Sequence, residues 1–209
     1  MRMRKKYYPS PYLRKEFSIN KKIKRAILYT SALGEYEFRI NGKRVDNRFF
    51  APEWTDYYKR VQYQTYDVST LLKEGKNAIG AILGDGWFAG DLGPGLVINH
   101  SYYGVNLRLI AQLEIEFEDG SSEIIISDDS WKYSDNGPIR ESDHFLGETY
   151  DISKKFYGWD SPDFNDKDWK GVYVEDYDNK KPKLVAQMNE PIRIIKERTI
   201  RLRDLGLSA

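Results

Sequence analysis

Cysteine is absent from the 209 residues, which excludes disulfides, thiolate-held metals and a cysteine nucleophile together. Histidine occurs twice, at His100 and His144, too few for an imidazole-rich zinc centre. No apolar run approaches the roughly 20 residues of a spanning helix. The basic start MRMRKKYY leads into no apolar signal segment, so no membrane partner and a cytoplasmic location are expected. A dominant charge sign is missing too, because the net charge is only +1. Its distribution is uneven, with ten Lys/Arg against Glu16 in residues 1–25 and twelve Asp/Glu against Lys132 and Arg140 in residues 114–151. A basic arm over residues 1–12 with Tyr7 and Tyr8 is a weak nucleic-acid signal, and the near-neutral total favours a solvated terminus with no nucleic-acid partner. Helical periodicity is nearly absent as well.

What is present is aromatic and alternating. Aromatic residues make up 14% of the chain, a composition that suits strands. Period-two alternation predicts strands near 16–19, 25–31, 35–41, 61–67, 77–83, 106–117, 122–127, 131–133, 138–143, 171–175 and 192–198. Asn41-Gly42 and Glu118-Asp119-Gly120-Ser121 mark tight turns between such runs. One helical turn is expected over 68–74, capped by Ser69 and stopped by Gly75. Many short strands imply an all-β fold, a jelly-roll β-sandwich of galactose-binding-like type, over residues 13–175. Residues 176–209 read as a linker or wrapping segment and the truncated start of a following strand.

The run Gly84-Asp85-Gly86-Trp87-Phe88-Ala89 satisfies the G-x-G-x-x-G/A pattern of dinucleotide-binding turns. That pattern works only where it opens a helix whose amides hold a pyrophosphate. Gly90-Asp91-Leu92-Gly93-Pro94-Gly95 cannot continue as a helix, and a β-hairpin arm follows. Two readings remain for Trp87 and Phe88: an apolar platform for a sugar ring, or a hydrophobic plug at the end of the sandwich.

Other constellations are less specific. Trp54 and the tyrosine-bearing strand after it read as architecture before ligand contact. Asp46-Asn47, with Asn99, Asp85 or Asp91, offers oxygen ligands suited to calcium, against a default of simple Asx turns. Glu141, Asp143 and Glu148 supply the carboxylates that an active glycosidase would need, with Glu141 and Asp143 able to share a strand face.

Several segments together resemble a known family. The stretches Ala32-Leu33-Gly34-Glu35-Tyr36-Glu37-Phe38, Asn41-Gly42-Lys43-Arg44-Val45, Ala51-Pro52-Glu53-Trp54-Thr55-Asp56-Tyr57 and Arg60 to Val68 are similar to the N-terminal domain of bacterial α-L-rhamnosidases of glycoside hydrolase family 78. Gly84 to Gly90, Ser130-Trp131, Ser142-Asp143, Gly147 to Asp151 and Gly158-Trp159-Asp160 continue the likeness in order. The resemblance implies a non-catalytic accessory sandwich and a separate (α/α)6 barrel whose catalytic acids this chain lacks, so no activity of its own is expected. It also implies a partner among rhamnose-containing oligosaccharides or glycosides, with Asp46 and Asn47 on the sugar and Trp87 and Phe88 as platform. Asp46 and Asn99 fall in loops comparable to those that hold an optional calcium ion. The alternatives are a purely structural domain packed on a catalytic chain, and an active glycosidase using Glu141, Asp143 or Glu148.

Overall fold

In a strand, alternate side chains face opposite sides, so an alternating apolar sequence presents one face to a core. Ala26, Leu28, Thr30 and Ala32 do this in one strand, and Tyr36, Phe38 and Ile40 in the next. The computed structural model describes residues 8–93, 100–176 and 182–198. It comprises β1 (Tyr12–Ile19), β2 (Ile23–Leu33), β3 (Glu35–Ile40), β4 (Lys43–Arg44), β5 (Arg48–Phe49), β6 (Arg60–Asp67), β7 (Gly75–Gly84) and β8 (Arg108–Phe117). These are followed by β9 (Ser122–Ile126), β10 (Lys132–Ser134), β11 (Ile139–Asp143), β12 (Gly147–Tyr150), β13 (Lys170–Gly171), β14 (Lys183–Ala186) and β15 (Ile192–Arg193).

One sheet has the order β13-β10-β1-β7-β3-β4 and the other β14-β6-β2-β8-β9, while β11–β12 and β15–β5 form two-stranded ribbons. The sheets share one core, with Ile19, Phe38, Ile40, Ile79 and Leu83 from the first facing Leu28, Leu113, Ile115 and Phe117 from the second. This is the expected all-β jelly-roll sandwich. A polar link crosses the core: Tyr36 Oη donates to Gln64 Oε1 at 2.7 Å and lies 3.0 Å from Tyr66 Oη. Burial pushes Tyr66 up to about 12 and Tyr36 well above its ordinary value, so both stay neutral donors.

The outer face of the six-stranded sheet is covered by residues 151–170. Gly80, in β7, has a specific role: a Cβ there would sit 2.5 Å from Trp159 Cζ3 and 2.7 Å from the Leu13 carbonyl. Its missing side chain lets Trp159 lie against the sheet, edge-on to Tyr12 at 5.0 Å. Arg14, only 1% exposed, is held beneath this cover. It donates from Nε to the Trp159 carbonyl at 2.9 Å and pairs with Asp166. The Gly158-Trp159-Asp160 stretch is therefore architectural.

Three local expectations change. Residues 68–74 form a hydrogen-bonded turn and no helix, because Asp67 Oδ1 takes the Ser69 amide and Asn77 Oδ1 takes the Lys73 amide. The glycine-rich loop does open one helical turn, α1 (Gly86–Ala89), which ends at Gly90 as the downstream glycines require. Within the segment read as a linker, β14 adds a parallel edge strand beside β6, pairing Leu184 with Val61.

Candidate functional site

Trp87, in α1, sits at the end of the sandwich where the loop after β5, the β11–β12 turn and the start of β3 converge. Gly86 makes this possible, since its φ is +49° and a Cβ would lie 2.6 Å from Glu35 Cγ. Trp87 stacks on His144 at 4.1 Å between ring centroids and lies parallel to Trp54 at 6.2 Å with 8° between planes. Phe50 meets both Trp87, at 6.4 Å, and His144, at 5.1 Å. His144 Nε2 in turn contacts Glu35 Oε1. Burial raises Glu35 against the opposing pull of His144. For His144, burial lowers the value, but the hydrogen bond and charge of Glu35 prevail and the net shift is upward.

Sequence reasoning assigned no role to Glu35 and His144. The only available signal was that one of the two histidines lies beside the Ser142-Asp143 stretch. The pairing across 109 residues exists only in the fold. Phe88 points the other way. At 4% exposure it packs on Tyr57 at 5.5 Å, so it is the plug and offers no face to a ligand. Trp54, read as architecture, is instead 50% exposed. The loop turns it outward because Ala51 and Pro52 take the buried positions.

Asp46 and Asn47 lie elsewhere on the same rim. Together with Arg44, Phe49 and Ile194 they line a pocket of about 430 Å³. Asp46 Oδ1 accepts from the Arg48 amide at 2.8 Å, and its Oδ2 lies 2.7 Å from Arg48 Nε as an ion contact without an aligned hydrogen bond. Asn47 Oδ1 accepts from Arg193 Nε at 2.8 Å. Asn99 lies outside the described residues. With Arg48 beside it, the Asp46 carboxylate fits a calcium ion poorly, since the guanidinium already holds the position of a cation.

The acids weighed for catalysis share the β11–β12 ribbon, where Glu148 lies opposite Ser142, but they take different roles. Asp143 is buried and its oxygens accept from the Phe145, Leu146 and Asp91 amides at 2.7, 3.0 and 2.7 Å, which makes it an organiser of the turn. Glu141 is exposed and accepts from Thr149 at 2.9 Å, and Glu148 is exposed on β12. Asp91, His100 and Asp143 bring three possible ligand atoms within 4.8 Å, but Asp143 is committed to backbone amides and an imidazole suits calcium badly. Asp85, close to Asp143 and 8% exposed, is pushed up to about 7 by burial first and by Asp143 second.

Residues 21–196 match the family described as the alpha-L-rhamnosidase N-terminal domain. The chain belongs to that family. An α-L-rhamnosidase from Streptomyces avermitilis is 47% identical over 187 residues, covering 88% of this chain and 18% of the relative. The crystal structure of the Streptomyces avermitilis enzyme complexed with L-rhamnose superposes with a TM-score of 0.84 at 45% identity, over 91% of this chain and 18% of that one. The native Aspergillus terreus α-L-rhamnosidase gives 0.86 at 38% identity, over 91% and 22%. This rhamnosidase N-terminal domain thus spans about a fifth of the length of the relatives it matches.

Proposed function

We propose that the domain is a non-catalytic carbohydrate-recognition unit of an α-L-rhamnosidase, one that binds or positions rhamnose-containing glycans. The observation that carries the reading is the pocket in which Asp46 and Asn47 present carboxylate and amide oxygens beside the aromatic edge of Phe49. Sugar hydroxyls need such acceptors, and both side chains keep lone pairs beyond those given to Arg48 and Arg193. Trp87, half-buried against His144 and outside the pocket lining, contributes through the adjoining ring of Phe50, which it meets at 6.4 Å. Family membership and the L-rhamnose complex of a relative supply the substrate class. Calcium is no part of this reading, because the Asp46 carboxylate already faces Arg48, and the same titration tests that as well. Calorimetry with L-rhamnose, once with calcium and once with a chelator, is expected to give saturable heat that Asp46→Ala abolishes. An absence of heat under both conditions overturns the reading.

A second reading is that the domain packs on a catalytic partner. It is favoured by the outward face of β8 and β9, where Ile110, Ile124 and Ile126 are 44%, 58% and 47% exposed. The register of β8 and β9 gathers the three on one face, and contiguous exposed apolar residues of this kind mark contact surfaces. Replacing all three with Thr is expected to leave L-rhamnose binding unchanged and to reduce self-association in sedimentation velocity. A chain that is already monodisperse at high concentration counts against this reading.

A further inference from the structure

Phe50 and Trp54 are 43% and 50% exposed, although burial of such rings is among the largest gains available to folding. The loop that holds them is built against local preference. Phe50 has φ +59° and Glu53 φ +69°, the left-handed region that non-glycine residues rarely occupy because their Cβ crowds the backbone there. Surrounding contacts enforce the conformation. The Glu53 amide donates to the Phe50 carbonyl at 2.7 Å, and the Tyr36 amide donates to the Ala51 carbonyl at 2.9 Å. The side-chain Nε2 groups of Gln62 and Gln64 donate to the Pro52 carbonyl at 3.4 and 3.5 Å. Trp54 is also pre-oriented, because it lies parallel to Trp87, which is itself stacked on a histidine tied to Glu35.

The position of this surface matters as much as its rigidity. Phe49 edges the Asp46–Asn47 pocket, and its ring is 6.4 Å from that of Phe50, so the aromatic surface begins where the pocket ends. Polar groups flank it. Glu53 Oε1 accepts from Gln187 at 2.7 Å, and Asn189 reaches the other oxygen of the same carboxylate. Exposed aromatic faces with carboxylate and amide groups at their margin suit a pyranose, whose C–H face stacks while its hydroxyls bond at the edge.

We propose that Phe50 and Trp54 form a second subsite, which takes the sugar ring adjoining the rhamnose, so that the domain recognises a rhamnosyl disaccharide or longer glycan in preference to the free monosaccharide. This rests on the carbohydrate reading above and adds to it the length of the ligand. One aromatic contact of about 0.5–1.5 kcal/mol corresponds to roughly a 2- to 12-fold gain in affinity.

The test titrates the full chain with L-rhamnose and with an α-L-rhamnosyl-glucose disaccharide. The disaccharide is expected to bind several-fold tighter. Trp54→Ala is expected to erase that gain while leaving L-rhamnose affinity within about twofold, and Asp46→Ala to weaken both ligands. Phe50→Gly provides a second variant that suits the positive φ, and thermal denaturation verifies that each variant folds. Equal affinity of the native chain for both sugars, or a Trp54→Ala loss that is the same for both, overturns the second subsite while leaving the first intact. Failure of either sugar to bind overturns the carbohydrate reading itself and the subsite with it.

Discussion

Around Trp159, the rings of Tyr12, Phe156 and Trp169 close over the outer face of the six-stranded sheet; around Trp87, the rings of Phe50 and Trp54 stay open to water. Both clusters centre on a tryptophan, Trp159 or Trp87, in a stretch that carries the family likeness. They differ in what lies beneath and beside them. Trp159 rests on Gly80 and its carbonyl is held by buried Arg14, whose charge is matched by Asp166. Trp87 rests on a histidine–glutamate pair at a rim, with a neighbouring loop held in the left-handed region to keep two rings exposed. The comparison teaches that an aromatic motif becomes architecture where a sheet face and a neutralised charge enclose it. Where the backbone instead bears strain to leave it accessible, it becomes a candidate for recognition.

The largest effect should come from breaking the closed cluster. Trp159→Ala is expected to cost about 3–5 kcal/mol in denaturant unfolding, and to leave the affinity of the folded fraction for L-rhamnose unchanged. Gly80→Ala approaches the same cluster from below. Because one of the atoms it would meet is the Leu13 backbone, which cannot swing aside, about 1–3 kcal/mol should be lost by the same measurement.

At the open end the sign can reverse. Asp85 binds its proton up to about 7 when folded, against 3.8 for an ordinary aspartate, so the native state holds more protons between those values. Stability should therefore fall as pH rises from about 4 to about 7 and level off above that. Asp85→Asn should flatten this slope and stabilise the chain by about 1–2 kcal/mol at pH 8, with little change at pH 4. A slope unchanged by the substitution would show that Asp85 does not carry it. The raised His144 adds stability that is present at low pH and fades as pH rises through its shifted value, so Asp85→Asn should reduce the slope without removing it entirely. The smallest stability effect is expected for Trp54→Ala, within about 0.5 kcal/mol in denaturant unfolding, as for a surface change away from the core. A loss as large as that of Trp159→Ala would erase the distinction between the two clusters.

Legibility followed the range of the interactions involved. Period-two alternation located the long strands because each residue's face depends on its immediate neighbours, and β2, β3, β7 and β8 lie where the pattern placed them. The turn at 68–74 was misread as helical because the decisive competitor, Asn77, binds through its side chain and leaves no periodic trace. The site was legible in part. The glycine-framed Trp87 could be seen to be special, but only the fold shows that Phe88 is buried as the plug while Trp87 is half-buried at the rim, the two facing opposite ways from a single helical turn. The outward turn of Trp54 went unread, since it depends on which neighbours in its loop win the buried positions.

By itself, the sequence determined the all-β class, the exclusion of thiol chemistry, the failure of the dinucleotide pattern and the likeness to rhamnosidase N-terminal domains. All of these rest on composition, local period and the order of short motifs along the chain. Only the tertiary structure decided that Trp159 is closed and Trp54 open, that Asp143 serves backbone amides, and that Glu35 meets His144 under Trp87. Those outcomes depend on which atoms approach from segments far apart in sequence, and burial and hydrogen bonding are properties of that approach and not of the residue types alone.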